Sequence, residues 1–282
     1  MKKFHKTTFF LVFAIVTVIT FYIIIKQCRN NIPKVIHKVY IEMMIKKIFI
    51  YWAQGFSNAP EVVQQCLLSW KLRNPTWVLY ELDDSNIEDF IDIHESIPKI
   101  KNKKISKTGY SDIIRIHLLD KYGGCWCDAT TFCNYPLDEW LPDVISSGFF
   151  AFARSEPNIK TSSWFLYSDL NNYITKAWKN ETVAFWGQRD MCKEYFWFHH
   201  IFAHLHQKDA MFKKIWDSTY KMAAGPPHFL QERGLCNTVT DNVKKHVQNK
   251  QTPVYKLTYK FDQKKLKVGT NLYYVIYESI ML

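Results

Sequence analysis

The amino-acid sequence predicts an α/β domain over residues 46–282, and two observations lead to this prediction. Residues 48–52 form a short apolar run that ends at Gln54 and Gly55, a pattern typical of a buried strand that leads into a loop. A helical pattern follows, and then a second strand over residues 77–82. This strand–helix–strand order indicates parallel pairing, and ligands of such sheets bind beyond the carboxyl ends of the strands.

Each further element has its own signal. A helix is predicted from residue 58, where Asn58 can cap the first turn and Glu61 follows three residues later, as in a capping box. A second helix over residues 108–122 stops at Gly123 and Gly124. Period and composition predict the rest: strands over 125–133, 148–153 and 163–167, a helix capped by Ser168 or Asp169, helices over 191–206 and 209–222, and β-structure over 254–259 and 272–277.

Composition limits the class of protein. Of 282 residues, 48% are hydrophobic and 22% are charged, which is typical of a globular chain and excludes disorder over most of the length. The 10 Trp, 16 Tyr and 20 Phe require a large core or a large groove. The net charge of +11 suits an anionic partner. Since zinc-finger spacing, an RNA-recognition signature and a long Lys/Arg run are missing from the sequence, we expect no nucleic-acid partner.

An uncharged apolar segment, residues 7–25, follows three lysines near the first residue. At about 1.5 Å per residue it reaches roughly 28 Å, close to the thickness of the hydrocarbon layer. Because no A-x-A cleavage pattern follows, we expect an uncleaved signal anchor rather than a cleaved signal peptide. The predicted organisation is a tail over 1–6, a transmembrane anchor over 7–25, a stem over 26–45 and the domain over 46–282.

The orientation and the compartment are less directly constrained. Basic residues flank both ends of the apolar segment, so the positive-inside rule decides little. A short head before a large domain suits a single-pass type II protein of the Golgi. Six cysteines lie in the domain, an even number that permits disulfides in a lumen, but we expect most of them to be small buried thiols.

One stretch carries the most chemical information. On the predicted helix, Ser111 and Arg115 share a face and Asp112 reaches Arg115. On the strand after the glycine pair, the period of two places Asp128 and Thr130 on one side, where their oxygens could hold a divalent cation. The residues alone leave a second interpretation open, in which an ion-paired helix lies beside an ordinary carboxylate at the end of a strand.

The order of many short motifs resembles the capsular polysaccharide synthesis family of glycosyltransferases, which is related to family 32 and its DxD-containing sugar-binding region. The resemblance covers most of residues 32–232. The matching segments are Tyr51-Trp52-Ala-Gln54-Gly55, Asn58-Ala-Pro60-Glu61, Ser69-Trp70, Asn74-Pro75-x-Trp77, Leu82-Asp83-Asp84, Ser111-Asp112-Ile-Ile-Arg115, Tyr122-Gly123-Gly124-x-Trp126-x-Asp128-Ala-Thr130, Pro136-Leu137-Asp138-Glu139-Trp140-Leu141, Gly148-Phe149-Phe150-Ala151-Phe152, Ser162-Ser163-Trp164-Phe165, Glu194-Tyr195-Phe196-Trp-Phe-His199 and Pro227-His228-x-Leu230-Gln231.

The resemblance implies a GT-A-like nucleotide-sugar transferase fold, with a Rossmann-like mixed sheet flanked by helices. It implies that Asp128 is the first acid of a DxD-like motif, whose second acid is replaced by Thr130, and that His228 is a further candidate ligand of Mn²⁺ or Mg²⁺. Because threonine is an uncharged ligand, metal use is in doubt. The implied donor-binding residues are Tyr51, Trp52, Gln54, Gly55, Ser111, Asp112, Arg115 and Gly124.

The implied activity is a membrane-anchored, retaining transfer of a sugar, of the hexosyltransferase class, from a nucleotide-sugar donor to a glycan or glycolipid hydroxyl. Together with Asp128, Glu194 and His199 on the predicted helix 191–206 are the candidate catalytic residues. The replacement by Thr130 leaves an alternative open, a catalytically inactive relative that binds a nucleotide sugar or a glycan without turnover.

Overall fold

The computed structural model describes residues 44–281, which include nearly all of the compact unit Ile45–Leu282. The predicted membrane anchor over 7–25 lies outside the described residues, as does almost all of the predicted stem. Within residues 44–281, no helix combines the length and the apolar character that crossing a membrane requires.

The sheet is mixed, as the fold-class prediction expected. Its five strands lie in the order β2-β1-β3-β6-β5, and β4 and β7 form a separate antiparallel pair. Strand β1 is parallel to both β2 and β3, whereas β6 is antiparallel to β3 and to β5. The strands are β1 Lys47–Tyr51, β2 Val78–Leu82, β3 Gly124–Cys127, β4 Thr131–Cys133, β5 Phe149–Glu156, β6 Ile159–Ser168 and β7 Val254–Lys256.

Helices of four to sixteen residues surround most of the sheet, and a short helical turn lies near the end of the described chain. They are α1 Glu61–Arg73, α2 Ile87–Phe90, α3 Ile93–Ser96, α4 Lys107–Tyr122, α5 Tyr173–Gly187, α6 Trp197–Lys208, α7 Ala210–Ser218, α8 Phe229–Glu232, α9 Asp241–Gln248 and α10 Asn271–Tyr273.

Two strand predictions are wrong. The predicted strand 125–133 is two strands, β3 and β4, separated by a turn in which the Thr131 amide donates to the Asp128 carbonyl at 2.8 Å. The tail over 272–277 is helical, since α10 leads directly into a π-helical turn over Tyr274–Glu278. Its β-branched and aromatic residues suggested a strand, but Leu272, Val275 and Ile276 are buried at helical spacing.

Three helix starts also differ from the prediction. Asn58 belongs to a 3₁₀ turn, and α1 begins after Pro60 without a side-chain cap. Helix α5 is capped by Asn172 rather than by Ser168 or Asp169. The predicted helix 191–206 begins only at Trp197, because Glu194 accepts a hydrogen bond from the Phe196 amide at 3.0 Å and thereby closes a non-helical turn.

The aromatic side chains fill the core, where Trp70, Trp126, Trp178 and Trp186 are fully buried. Most of the described cysteines are buried thiols, as expected: Cys66, Cys125, Cys127 and Cys133 are buried, and all six in the described part of the chain are free. Burial raises the pKa of the Cys133 thiol to about 12, which keeps it protonated and unreactive.

The glycine pair between α4 and β3 has a structural reason. Gly123 ends the helix at φ 62°, a left-handed conformation that favours glycine. A Cβ on Gly124 would lie 2.7 Å from the carbonyl oxygen of Lys47, so only glycine allows β3 to approach β1 this closely. The pair therefore sets the position at which β3, the strand that leads to Asp128, begins.

Candidate functional site

A cavity of about 590 Å³ lies beyond the carboxyl ends of the parallel strands β1 and β3. Residues after both strands line it, together with one face of α4, the first half of β6 and the segment that follows β7. The lining residues are Tyr51, Trp52, Ala53, Gln54, Lys107, Thr108, Ser111, Asp112, Arg115, Asp128, Ala129, Thr130, Arg154, Ser162, Ser163, Trp164, Tyr195, Phe196, His199, His228, Lys256, Leu257, Thr258, Tyr259 and Lys260.

Asp128 is held in place through its backbone and through both carboxylate oxygens. Its amide donates to the Trp164 carbonyl at 2.8 Å, which ties the turn to β6. Oδ1 accepts from Trp126 Nε1 at 3.0 Å and from Arg115 Nη2 at 3.2 Å, and Oδ2 accepts from Lys256 Nζ at 2.7 Å. The carboxylate therefore faces two cations, and its orientation is fixed before any ligand binds.

Arg115 joins helix α4 to this carboxylate. Its Nη1 lies 2.9 Å from Asp112 Oδ1 and donates to the Ser163 carbonyl at 2.7 Å, and its Nη2 donates to Ser111 Oγ at 3.2 Å. The guanidinium also lies over the Trp126 ring, 5.1 Å from the ring centre. One buried arginine thus links residues of the helix, the strand β6 and the turn after β3.

The carboxylates of Asp112 and Asp128 differ in pKa because their surroundings differ. Burial by itself would raise the pKa of Asp128, but the Lys256 ammonium and the Arg115 guanidinium outweigh burial and lower this pKa to about 2. Asp112 is buried and shares its single arginine with Asp128, so burial dominates and raises its pKa to about 6. Asp128 is consequently ionised throughout the physiological range, whereas Asp112 gains a proton in mild acid.

Lys256 is the most important residue that sequence reasoning missed. It is the last residue of β7, and the β4–β7 register pairs it with Thr131. Its Nζ donates to Asp128 Oδ2 and, at 2.9 Å, to Thr130 Oγ1. A strand over residues 254–259 was predicted, but no local signal connects a lysine there with an aspartate 128 positions earlier.

Most predicted site residues meet in this cavity. The structure brings together Tyr51, Trp52, Gln54, Ser111, Asp112, Arg115, Asp128, Thr130, His199 and His228. Besides Lys256, the sequence analysis missed Arg154 and Ser163 on the strands, Lys107 at the start of α4, Tyr195 before α6, and Tyr259 after β7. Tyr259 packs edge-on against Trp52 at a ring distance of 5.2 Å.

Three predicted residues do not line the cavity. Gly55, at φ 78°, turns the chain after β1 and lies against Asp83. Gly124 is a packing residue between β1 and β3 rather than a contact for a ligand. Glu194 is exposed in the turn before α6, where its carboxylate accepts from the Phe196 amide, because the helix predicted from residue 191 begins only at Trp197.

His199 and His228 both line the cavity but differ in their hydrogen bonding. Burial first, and then the nearby Arg115 and Arg154, lower the pKa of His199 to about 3, and its Nδ1 is buried without a hydrogen-bond partner in the structure. His228 Nδ1 lies 2.8 Å from the Ala224 carbonyl, which places the ring proton on Nδ1 and leaves Nε2 as an acceptor. Burial lowers the pKa of His228 as well.

The donor set around Asp128 does not fit a divalent cation. Both carboxylate oxygens accept from cationic side chains, and Thr130 Oγ1 accepts from Lys256. Mg²⁺ is usually held by one or two carboxylates together with substrate phosphates and waters, and the one carboxylate here is already paired with two cations. Within residues 44–281, no group of three or more His, Cys, Asp or Glu side chains is arranged to hold a metal ion.

Comparison with known proteins identifies relatives of the chain. The sequence model of the family described as "Capsular polysaccharide synthesis protein" matches residues 16–276. The O-glycosyltransferase PaGT of Phomopsis amygdali is 24% identical over 165 residues, which cover 52% of this chain and 40% of PaGT. The O-glycosyltransferase braB of Annulohypoxylon truncatum is 29% identical over 98 residues, which cover 31% of this chain and 23% of braB.

The matched regions therefore span less than half the length of each of these curated relatives. Among solved structures, the PaToxG Glycosyltransferase aligns with a TM-score of 0.42 and 16% sequence identity. That alignment covers 79% of this chain and 92% of the other.

Proposed function

Because the chain belongs to the capsular polysaccharide synthesis protein family, we propose that it is a glycosyltransferase that moves a sugar from a nucleotide-sugar donor to a hydroxyl of a glycan or glycolipid. One observation carries the proposal: Asp128, Arg115 and Lys256 form a preorganised charged cluster in the wall of a large cavity beyond β1 and β3. Such clusters stabilise charge that develops during a reaction. The parallel arrangement β2-β1-β3 supports a GT-A-like architecture.

In the proposed reaction, the bond between the anomeric carbon and the donor diphosphate breaks, and the electron pair stays on the phosphate oxygen. The acceptor hydroxyl oxygen forms the new bond to the anomeric carbon, and its proton ends on the departing diphosphate. The Lys256 ammonium and the Arg115 guanidinium, both hydrogen-bonded to Asp128 in the cavity wall, would stabilise the charge that grows on the diphosphate. Trp52 and Tyr259 offer aromatic surfaces for the base.

We propose that the anomeric configuration is retained. Inversion in a single step requires a base that takes the acceptor proton. Of the described residues that line the cavity, the only acidic ones are Asp112 and Asp128, and both are paired with Arg115. His199 has a pKa of about 3 and would be a poor base at neutral pH. Asp112, Asp128 and His199 are therefore poorly suited to be that base, which favours a reaction on one face of the sugar.

The acceptor has a candidate site of its own. A neighbouring cavity of about 650 Å³ shares Arg154 and His228 with the first and adds the carboxylates of Glu156 and Glu232. Carboxylates and a ring nitrogen suit the hydroxyls of a glycan. We propose that the acceptor lies in this second cavity and reaches the donor between the two shared residues.

A panel of nucleotide sugars, incubated with the purified chain and with glycan and glycolipid acceptors, tests the activity. Release of the nucleoside diphosphate and mass-spectrometric detection of a glycosylated product support the proposal, and Asp128→Asn should lower the rate by about 100-fold or more. Binding of a nucleotide sugar without any turnover would instead favour the inactive relative that Thr130 suggests. If neither binding nor turnover occurs with any donor, the proposal is wrong.

We also propose that residues 7–25 anchor the protein in a membrane as a single-pass type II protein of the Golgi. The uncharged apolar run supports an anchor. Extraction of membranes from cells that express the full chain tests this part: the protein should remain in the pellet in alkaline carbonate and be released by detergent. Recovery in the carbonate supernatant would contradict an anchor.

A further inference from the structure

We propose that the Lys256 ammonium takes the place of the divalent cation expected between Asp128 and Thr130, so that the donor binds and reacts without a metal ion. This inference rests on the proposed function and names the group that neutralises the diphosphate. The two side chains that the DxD-like pattern assigns to a metal are both bonded to the same ammonium, at 2.7 Å and 2.9 Å.

The position of this lysine is built into the fold. Strand β7 pairs with β4 so that Lys256 lies opposite Thr131, next to the turn that carries Asp128. The Leu257 amide donates to the Thr130 carbonyl at 2.8 Å, and Gln231 Nε2 donates to the Lys256 carbonyl at 2.7 Å. The backbone is thus held on both sides of the lysine, and the preceding Val254 and Tyr255 are fully buried.

The side chain is shielded but reaches the cavity. Lys256 lines the cavity, and its side chain is 17% exposed, compared with 25% for Asp128. An ion pair in a partly dry cleft is screened less by salt than one on the surface. An ammonium here can therefore donate to Asp128 and Thr130 and offer its third N–H to an anionic ligand.

The charges nearby disfavour a metal ion. Asp128 Oδ1 is already paired with Arg115, and that arginine is also paired with Asp112. A divalent cation at Asp128 would have to displace the Lys256 ammonium and would then lie beside the Arg115 guanidinium, with one carboxylate and one hydroxyl as ligands from the motif. A diphosphate has the opposite sign and would gain from the same two cations.

Calorimetry with ADP, CDP, GDP and UDP, in buffer with EDTA and then with Mn²⁺, tests the inference on the full chain. We expect at least one nucleotide to bind in EDTA, with an affinity that Mn²⁺ leaves nearly unchanged. Lys256→Met should weaken this binding by about 10-fold to 100-fold, whereas Lys256→Arg should retain most of it. Lys71→Met, which removes the ammonium of an exposed ion pair with Glu81 outside both cavities, serves as the matched control and should bind like the wild type.

A second readout does not depend on any nucleotide. Electron paramagnetic resonance measures free Mn²⁺ in the presence of the protein alone. The wild type should leave the Mn²⁺ signal unchanged, and Lys256→Asp, which adds a second carboxylate beside Asp128, should reduce it. Circular dichroism of each variant checks that it is folded, and if Lys256→Met fails to fold, the comparison of Lys256→Arg with the wild type still tests the metal-free binding.

The two readouts separate the inference from the proposed function. If EDTA abolishes nucleotide binding and Mn²⁺ restores it, or if the wild type itself binds Mn²⁺ at this site, the inference is wrong while the proposed function stands. If no nucleotide or nucleotide sugar binds under any condition, the proposed function fails. The Mn²⁺ titration then still decides whether Lys256 fills the position of a metal.

Discussion

Arg115 and Asp128 form an ion pair at 3.2 Å that joins helix α4 to the turn after strand β3. The same guanidinium lies 2.9 Å from Asp112, so a single buried cation serves two carboxylates. Lys256, which is distant in the sequence, supplies the second cation and forms an ion pair with Asp128. With both carboxylates ionised, the four side chains together carry no net charge, and removing any single one of them leaves one charge uncompensated.

Arg115→Met should destabilise the fold by about 3–5 kcal/mol, because it leaves the buried Asp112 carboxylate without its cation and the partly exposed Asp128 with Lys256 alone. The free energy of unfolding in urea measures the change. Adding Asp112→Asn to this variant should recover part of the loss, since the buried carboxylate that lost its cation is then gone. Arg154→Met is the matched control: its partner Glu156 is exposed, and we expect a change within about 1 kcal/mol. Equal losses in the two single variants would contradict the shared role of Arg115.

The pH dependence of stability should reveal the proton on Asp112. Its folded-state pKa of about 6 lies above its ordinary value of 3.8, so between these pH values the folded protein holds a proton that the unfolded chain has released. Stability contributed by this group is therefore highest in acid, falls as the pH rises from about 4 to about 6, and is constant above. In Asp112→Asn this fall should be absent. Thermal unfolding at several pH values compares the two proteins, and identical pH profiles would show that Asp112 titrates normally.

The sequence predicts the individual helices and strands that carry the site residues better than it predicts which of these elements lie next to each other. Ser111, Asp112 and Arg115 share a helix face, and Asp128 follows a strand that the glycine pair introduces, so short-range spacing was sufficient to place them. The turn over 128–130 was missed because alternating side chains continue through it. Lys256 was missed because β4–β7 pairing joins distant segments, and no periodic pattern encodes the partner of a three-residue strand.

Glu194 and the tail show a second limit. The apolar pattern before Trp197 predicted a longer helix, but the Glu194 carboxylate accepts from the Phe196 amide in a non-helical turn, and the helix begins only at Trp197. Residues 272–277 have strand-like composition, yet they pack as a helical turn, since tertiary burial overrides weak β-propensity. Side-chain competition for the backbone and the packing of remote segments are both invisible in a single sequence.

Trp52→Ala should weaken donor binding through loss of the aromatic surface for the base. Stacking of a base on an aromatic ring contributes about 1–3 kcal/mol, so the dissociation constant should rise about 10-fold or more. Trp52→Phe should retain most of the affinity. Tyr220→Ala removes an exposed ring that does not line the cavity and should leave binding unchanged. Calorimetry with the nucleotide identified in the metal-free assay measures all three, and unaltered binding by Trp52→Ala would exclude this stacking.

His199→Phe should distinguish a role of His199 in binding the donor from a role in the stability of the fold. The buried Nδ1 of His199 has no hydrogen-bond partner in the structure, and leaving such an atom unsatisfied costs about 1–3 kcal/mol, so an apolar ring of similar shape should fold at least as stably. If a polar group of the bound donor satisfies this nitrogen, the variant should lose kcat/KM by about 10-fold or more while its thermal stability is maintained.

The pH dependence of the reaction rate tests whether His199 acts as a base. With a pKa of about 3, His199 stays neutral between about pH 5 and pH 9, so the wild-type rate should show no inflection from this residue. His199→Asn, which restores a polar side chain, should regain part of the lost kcat/KM. An inflection near neutral pH that disappears in His199→Phe would instead identify His199 as a base, and unchanged kcat/KM in both variants would remove it from the reaction.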